Sequence, residues 1–181
     1  MTLSKEVIEK IKDKFRYKDL LDSIVDLAAV LPIRKDDPRL RRISYFEALN
    51  ESYNSYQSSP GDPTKLTHYA ATLFNSGLEE ESLKVYATDL RECRDSGPSH
   101  HVIGRILMDN ELYEQAILLF DKGLTLDYGE WLHCEFHFDI SDLKGRLRRS
   151  DDLKRKLNDF DHYLAGKILH DTTTCERRTA F

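Results

Sequence analysis

The sequence predicts an all-α fold: a helical-repeat solenoid of antiparallel helix hairpins behind an N-terminal helical cap. Three observations carry this expectation. Apolar residues recur at helical spacing through most of the 181 residues. The polar breaks between the main stripes are too short for anything but a turn back on the preceding helix. One hairpin pattern also returns at a fixed interval along the chain.

Ser4, with Glu6 and Val7 behind it, opens a first helix that should run to about Phe15. Lys18–Leu31 reads as the second, with Leu20, Leu21, Ile24, Leu27 and Ala28 on its apolar face and Pro32 as its stop. A charged loop, Ile33–Pro38, follows. Asp37 suits the cap and Pro38 the first turn of a third helix. Ile43, Phe46, Leu49 and Tyr53 give it a stripe to about Gln57. The SSPGDP stretch Ser58–Pro63 is the clearest turn in the chain. It divides a cap at 1–58 from repeats at 63–169. The linker is short enough to favour one continuous array over two domains.

Gly97–Tyr128 is the most regular unit. Val102, Ile103, Ile106 and Leu107 make one apolar stripe; Leu112, Ala116, Ile117, Phe120, Leu124 and Leu126 make the next. Asp109–Glu111 is the break between them. Gly104 and Ala116 are the small residues where the two helices should touch, with Phe120 filling the space beyond. Close approach offsets the roughly 0.5–1 kcal/mol that a glycine costs inside a helix.

A copy of this unit lies upstream. Leu66, Tyr69, Ala70, Leu73, Gly77, Ser82 and Tyr86 stand 34 residues before His100, Ile103, Gly104, Leu107, Glu111, Ala116 and Phe120. With that length and those small and aromatic positions, residues 63–128 resemble two tandem tetratricopeptide repeats, the units being 63–96 and 97–130. The chain departs from the motif at His100, where a large apolar residue is preferred. It departs also at Asp89 and Gly123, where alanine is preferred, and at Tyr128, where proline is. A degenerate or capping third unit at 131–169 is carried by Ile140, Leu143, Leu147, Leu153, Leu157, Phe160 and Leu164. These lie 40 residues after their counterparts, so the unit's first helix should be lengthened. Residues 170–181 lose periodicity and read as a flexible tail.

Composition bounds the function. Apolar residues make up 40% and charged residues 33%, a solvated helical composition, and the net charge of −5 argues against bulk nucleic-acid binding. Met1–Lys12 has no apolar core of a signal peptide, and no stretch is long enough to span a bilayer. Cys93, Cys134 and Cys175 are odd in number and widely spaced, which suits reduced thiols in a cytoplasmic protein.

Catalytic signals are weak. HCEFH places His133 and His137 four residues apart, a spacing that can hold zinc on a helix. A structural site needs four ligands, which only His100 and His101 of the neighbouring unit could complete, and polar interface residues are the better account. Cys134, His137 and Asp139 sit too close on one helix to point at one another, and no oxyanion loop accompanies them. No phosphate-binding glycine loop occurs. No cofactor, no metal and no enzymatic activity is expected. The Lys144–Lys156 basic cluster is interleaved with Asp142, Asp151 and Asp152 and reads first as a solvated hairpin.

The resemblance implies a concave groove lined by the first helix of each hairpin, where peptides or partner helices bind. Its groove positions fall on Thr67, Ala71, Phe74 and Asn75 in the first unit and on His101, Arg105, Met108 and Asp109 in the second. The third unit adds Ser141, Arg148 and Arg149. Thr67, Ala71 and His101 replace residues with which one family variant clamps chaperone tails, so that adaptor role is not implied. The expected function is a protein–protein interaction module whose partner carries an apolar anchor with acidic flanks. The alternatives are a dedicated chaperone or cognate inhibitory partner of a single protein, and an RNA-associated repeat protein using the basic hairpin.

Overall fold

A computed structural model describes residues 3–28, 46–126 and 130–148, apart from the side chains of 130, 131, 133, 147 and 148. The described residues form α-helices joined by turns, with no strand among them. The chain divides into two compact units, Met1–Tyr128 and Gly129–Phe181.

In the first unit, α1 spans Lys5–Ile11, and Ser4 Oγ caps it by accepting the Val7 N–H at 3.4 Å. It ends short of Phe15: the Lys14 N–H turns back to the Ile11 carbonyl at 3.1 Å, a tighter closure than a helix continues from. α2 spans Tyr17–Val25, not Lys18–Leu31. Leu27 and Ala28 bond to carbonyls three residues back, at 2.9 and 3.0 Å, and so close its last turn. The expected Pro32 stop and the expected Asp37–Pro38 start of the next helix lie outside the described residues. α3 is described over Phe46–Ser58.

Four helices follow: α4 at Pro63–Asn75, α5 at Glu79–Glu92, α6 at Gly97–Asp109 and α7 at Tyr113–Gly123. Asp62 starts α4 by accepting from the Thr64 and Lys65 backbones, with Pro63 in the first turn where its missing N–H costs nothing. α4 and α5 run antiparallel, because Ser82 Oγ donates to the Ala70 carbonyl at 2.8 Å while Tyr86 Oη reaches the Thr67 carbonyl at 3.5 Å. α6 and α7 pack on each other in the same way. Gly104 and Ala116 are both buried in this interface. Phe120 lies directly on Gly104, and a Cβ at that position would come 2.8 Å from Phe120 Cδ1.

The two hairpin turns are equivalent at an offset of 34 residues. Gly77 and Glu111 both take left-handed backbone, at φ 75° and 62°. The next residue in each case, Leu78 and Leu112, donates its N–H across the turn to Leu73 and Leu107 at 3.0 and 2.9 Å. Leu73 and Leu107, Tyr86 and Phe120, and Ala70 are all fully buried or nearly so, and belong to the core of this unit. Removing such a side chain from water is worth about 1.5–3 kcal/mol, which is why packing and not helix propensity holds the array.

The N-terminal helices divide their attachments. α3 packs on α4, bringing Tyr53 and Tyr56 against Tyr69 at ring-centroid distances of 5.4 and 5.6 Å. α2 packs instead on α5 and α7, the second helix of each hairpin. Its Leu20, Leu21 and Ile24 are buried there.

In the second unit, α8 is described over Glu130–Arg148. Its 19 residues exceed the 13 of α4 and of α6, in line with the lengthening expected from the 40-residue offset. Leu132, Phe136, Ile140 and Leu143 are its buried stripe, Phe138 is exposed, and Arg146 pairs with Asp142 at 3.0 Å. The expected partner helix carrying Leu153, Leu157, Phe160 and Leu164, and the tail at 170–181, lie outside the described residues.

Candidate functional site

α4 and α6 lie side by side, so side chains of the two hairpins can meet across them. Leu66, Tyr69, Ala70 and Leu73 turn the buried face of α4 inward. Thr67, Ala71 and Phe74 fall on an adjoining face and are half-buried, and Asn75 is exposed at the helix end. On α6, Arg105 is half-buried and Asp109 exposed.

Phe74 and Arg105 are brought together. The Arg105 guanidinium carbon stands 5.4 Å from the centroid of the Phe74 ring. The ring face attracts the cation, and the arrangement pre-orients a planar set of donors. His101 and Met108 are placed differently. They are 5% and 3% exposed, so Met108 offers a partner almost no surface. Ser141 is exposed on α8. The side chain of Arg148, and all of Arg149, lie outside the described residues.

A second polar constellation joins α2, α5, α6 and α7, and sequence reasoning did not assemble it. His100 is fully buried. Its Nδ1 lies 2.7 Å from the Ser96 carbonyl and its Nε2 lies 2.8 Å from the Tyr17 hydroxyl of α2. A carbonyl only accepts, so Nδ1 carries the proton, and Nε2 accepts from Tyr17 in the neutral ring. The two rings also stack, 5.9 Å apart. Below them, Asp89 of α5 accepts hydrogen bonds from Ser96 and, at 2.5 Å, from Ser99. Ser96 therefore spends its hydroxyl on Asp89 and gives α6 no side-chain cap of its own.

Burial sets the electrostatics of this junction. It pushes the His100 imidazole below its ordinary pKa, with the Ser96 carbonyl and nearby Asp95 and Asp89 opposing and Lys122 reinforcing. It pushes the Tyr17 phenol up to about 12, helped by Asp95. Further bonds tie the N-terminal segment to the hairpins. Asn110 Oδ1 accepts the Leu3 N–H at 2.8 Å, Gln115 donates to the Lys12 carbonyl at 2.5 Å, and Arg94 pairs with Asp22 at 2.9 Å. Glu80 accepts the Ser4 N–H at 2.9 Å. Burial alone would raise its carboxyl, but the hydrogen bonds from Lys84 and Ser4 outweigh this and hold it below the ordinary range. The signal for this junction was present in the sequence: Asp89 and His100 are two of the positions where the chain departs from the repeat pattern.

Among the described residues no group of three or more His, Cys, Asp or Glu side chains is placed to hold a metal ion. Both nitrogens of His100 are engaged as above, and the His133 side chain lies outside the described residues. The expectation of three reduced thiols is corrected: Cys93 is a free, exposed thiol, whereas Cys134 is disulfide-bonded. Spacing along the chain does not measure distance in the fold. No described helix is long and apolar enough to cross a membrane. No family model, no curated protein and no solved structure matches the chain.

Proposed function

We propose that this chain is a non-enzymatic protein-interaction module of the tetratricopeptide kind, which holds a peptide or partner helix along the face of α4 and α6. Two equivalent hairpins at a 34-residue offset support the repeat reading. The observation that carries the functional reading is the half-buried Phe74–Arg105 pair, which joins one repeat to the next. An apolar side chain of the partner packs on the free part of Phe74 and Ala71. Arg105 holds a partner carboxylate through its planar donors, a charge-assisted bond stronger than a neutral one. The partner is accordingly a segment with an apolar anchor and acidic flanks. α2 packs against α5 and α7, the helices that this reading does not use, and α1 packs on α2.

The test is capture of a partner from native lysate by the intact chain, compared with a Phe74→Ala/Arg105→Glu double variant that retains the wild-type helical melt. The protein captured by the wild type should be lost from the variant. Capture with undiminished affinity would place binding elsewhere.

A further inference from the structure

We propose that mild acidification loosens α1 and α2 from the face of α5–α7 through protonation of His100, while α4–α7 remain folded. This does not rest on the groove reading, although His100 and Arg105 both belong to α6.

The geometry selects the neutral ring. Nδ1–H donates to the Ser96 carbonyl and Nε2 accepts from Tyr17, so every polar atom of the imidazole is matched. A second proton puts hydrogen on Nε2. The Tyr17 hydroxyl must then reverse from donor to acceptor, and a full charge is held in a ring with no solvent contact. The charged groups around it are already committed. Asp89 of α5 is bonded by Ser96 and Ser99. Asp95, in the α5–α6 turn, is paired with Lys122 of α7 at 3.2 Å, and that lysine itself opposes a new cation. On the α2 side Tyr17 is the facing group, with Arg94 close enough to influence it.

The sign follows. Burial lowers the docked His100 below its ordinary value, so the opened state binds more protons. Docking is complete above the ordinary histidine pKa, about 6.5, and weakens as pH falls below it. If the docked ring stays neutral, one imidazole favours the open state by up to about tenfold at pH 5.5. Glu80, held below the ordinary carboxylate range, stays ionised across this window and keeps its bond to Ser4. The effect is therefore a one-proton change centred on a single contact between α2 and α6.

Hydrogen–deuterium exchange of the full chain at pH 7.5 and 5.5, corrected for intrinsic exchange rates, tests it. Protection of peptides from α1 and α2 should fall several-fold, up to about tenfold, with protection in α4–α7 retained. His100→Gln, which cannot ionise, should remove that step. Tyr17→Phe should lower protection of α1 and α2 already at pH 7.5, with α4–α7 retained. Should His100→Gln not fold, a nuclear magnetic resonance titration of His100 in the wild type decides: a pKa below 6.5 together with the exchange step supports the proposal. Equal protection at the two pH values, a parallel loss throughout α4–α7, an unshifted His100, or a full step in His100→Gln would each overturn it.

Discussion

Asp89 Oδ2 lies 2.5 Å from Ser99 Oγ, and both residues are buried. Ser96 adds a second hydrogen bond to the same oxygen. The carboxylate thus sits at the first turn of α6, where the exposed ends of the backbone dipoles favour negative charge. One side chain on α5 does the work that a cap on α6 would otherwise do.

Replacing it should be costly. Asp89→Ala leaves the buried Ser99 hydroxyl without its acceptor and removes the anion from the helix start. A loss of about 2 kcal/mol is expected in urea unfolding, with Asp89→Asn milder. An alanine variant as stable as the wild type would show that the two serines find other partners at no cost.

The helix hairpins were legible because their signals are local. Apolar spacing, the Asp62–Pro63 start and the paired turn positions Gly77 and Glu111 all act within a few residues. The attachments of the N-terminal helices were not legible in that way. Which face α2 covers depends on Tyr17 meeting His100, residues 83 apart in sequence. Asp89 and His100 registered only as misfits to a pattern, since no periodicity argument says what a misfit is for. Register placed Phe74 and Arg105 on facing helices, and the two side chains do meet. Met108 shows its limit, because register assigns a face to a residue without saying what covers it.

Gly104 supplies a sharper packing test. The Phe120 ring occupies the space a side chain at 104 would need. Gly104→Leu should destabilise by roughly 1–3 kcal/mol through overpacking. Adding Phe120→Leu should recover part of that loss, giving a favourable coupling in a double-mutant cycle. Additive losses would mean that the two positions do not share the contact.

Tyr69 is fully buried, and its hydroxyl has no hydrogen-bond partner among the described residues. Burial, with Tyr53 and Glu81 adding to it, drives the phenol's ionisation well above the ordinary tyrosine range. Deleting an unbonded buried hydroxyl removes a desolvation penalty and leaves no partner stranded. Tyr69→Phe should therefore unfold at the same denaturant concentration as the wild type or a higher one. A loss above about 1 kcal/mol would reveal a bound water or another acceptor.

The last prediction separates groove residues from core residues on the same pair of helices. Arg105 is half-buried, and on the proposed reading it meets a partner's charge during approach, so Arg105→Ala should slow association and flatten its dependence on salt. On the same reading the exposed part of the Phe74 ring is desolvated by the partner, so Phe74→Ala should mainly speed dissociation. Met108, at 3% exposure, is already desolvated in the free protein. Its truncation to alanine should appear as a stability loss of about 2–5 kcal/mol. At temperatures where the variant stays folded, its kinetics with the captured partner should match the wild type. Surface plasmon resonance beside thermal melts distinguishes these cases. If Met108→Ala speeds dissociation as much as Phe74→Ala while keeping its melt, Met108 becomes accessible on binding, and the groove must open to admit the partner.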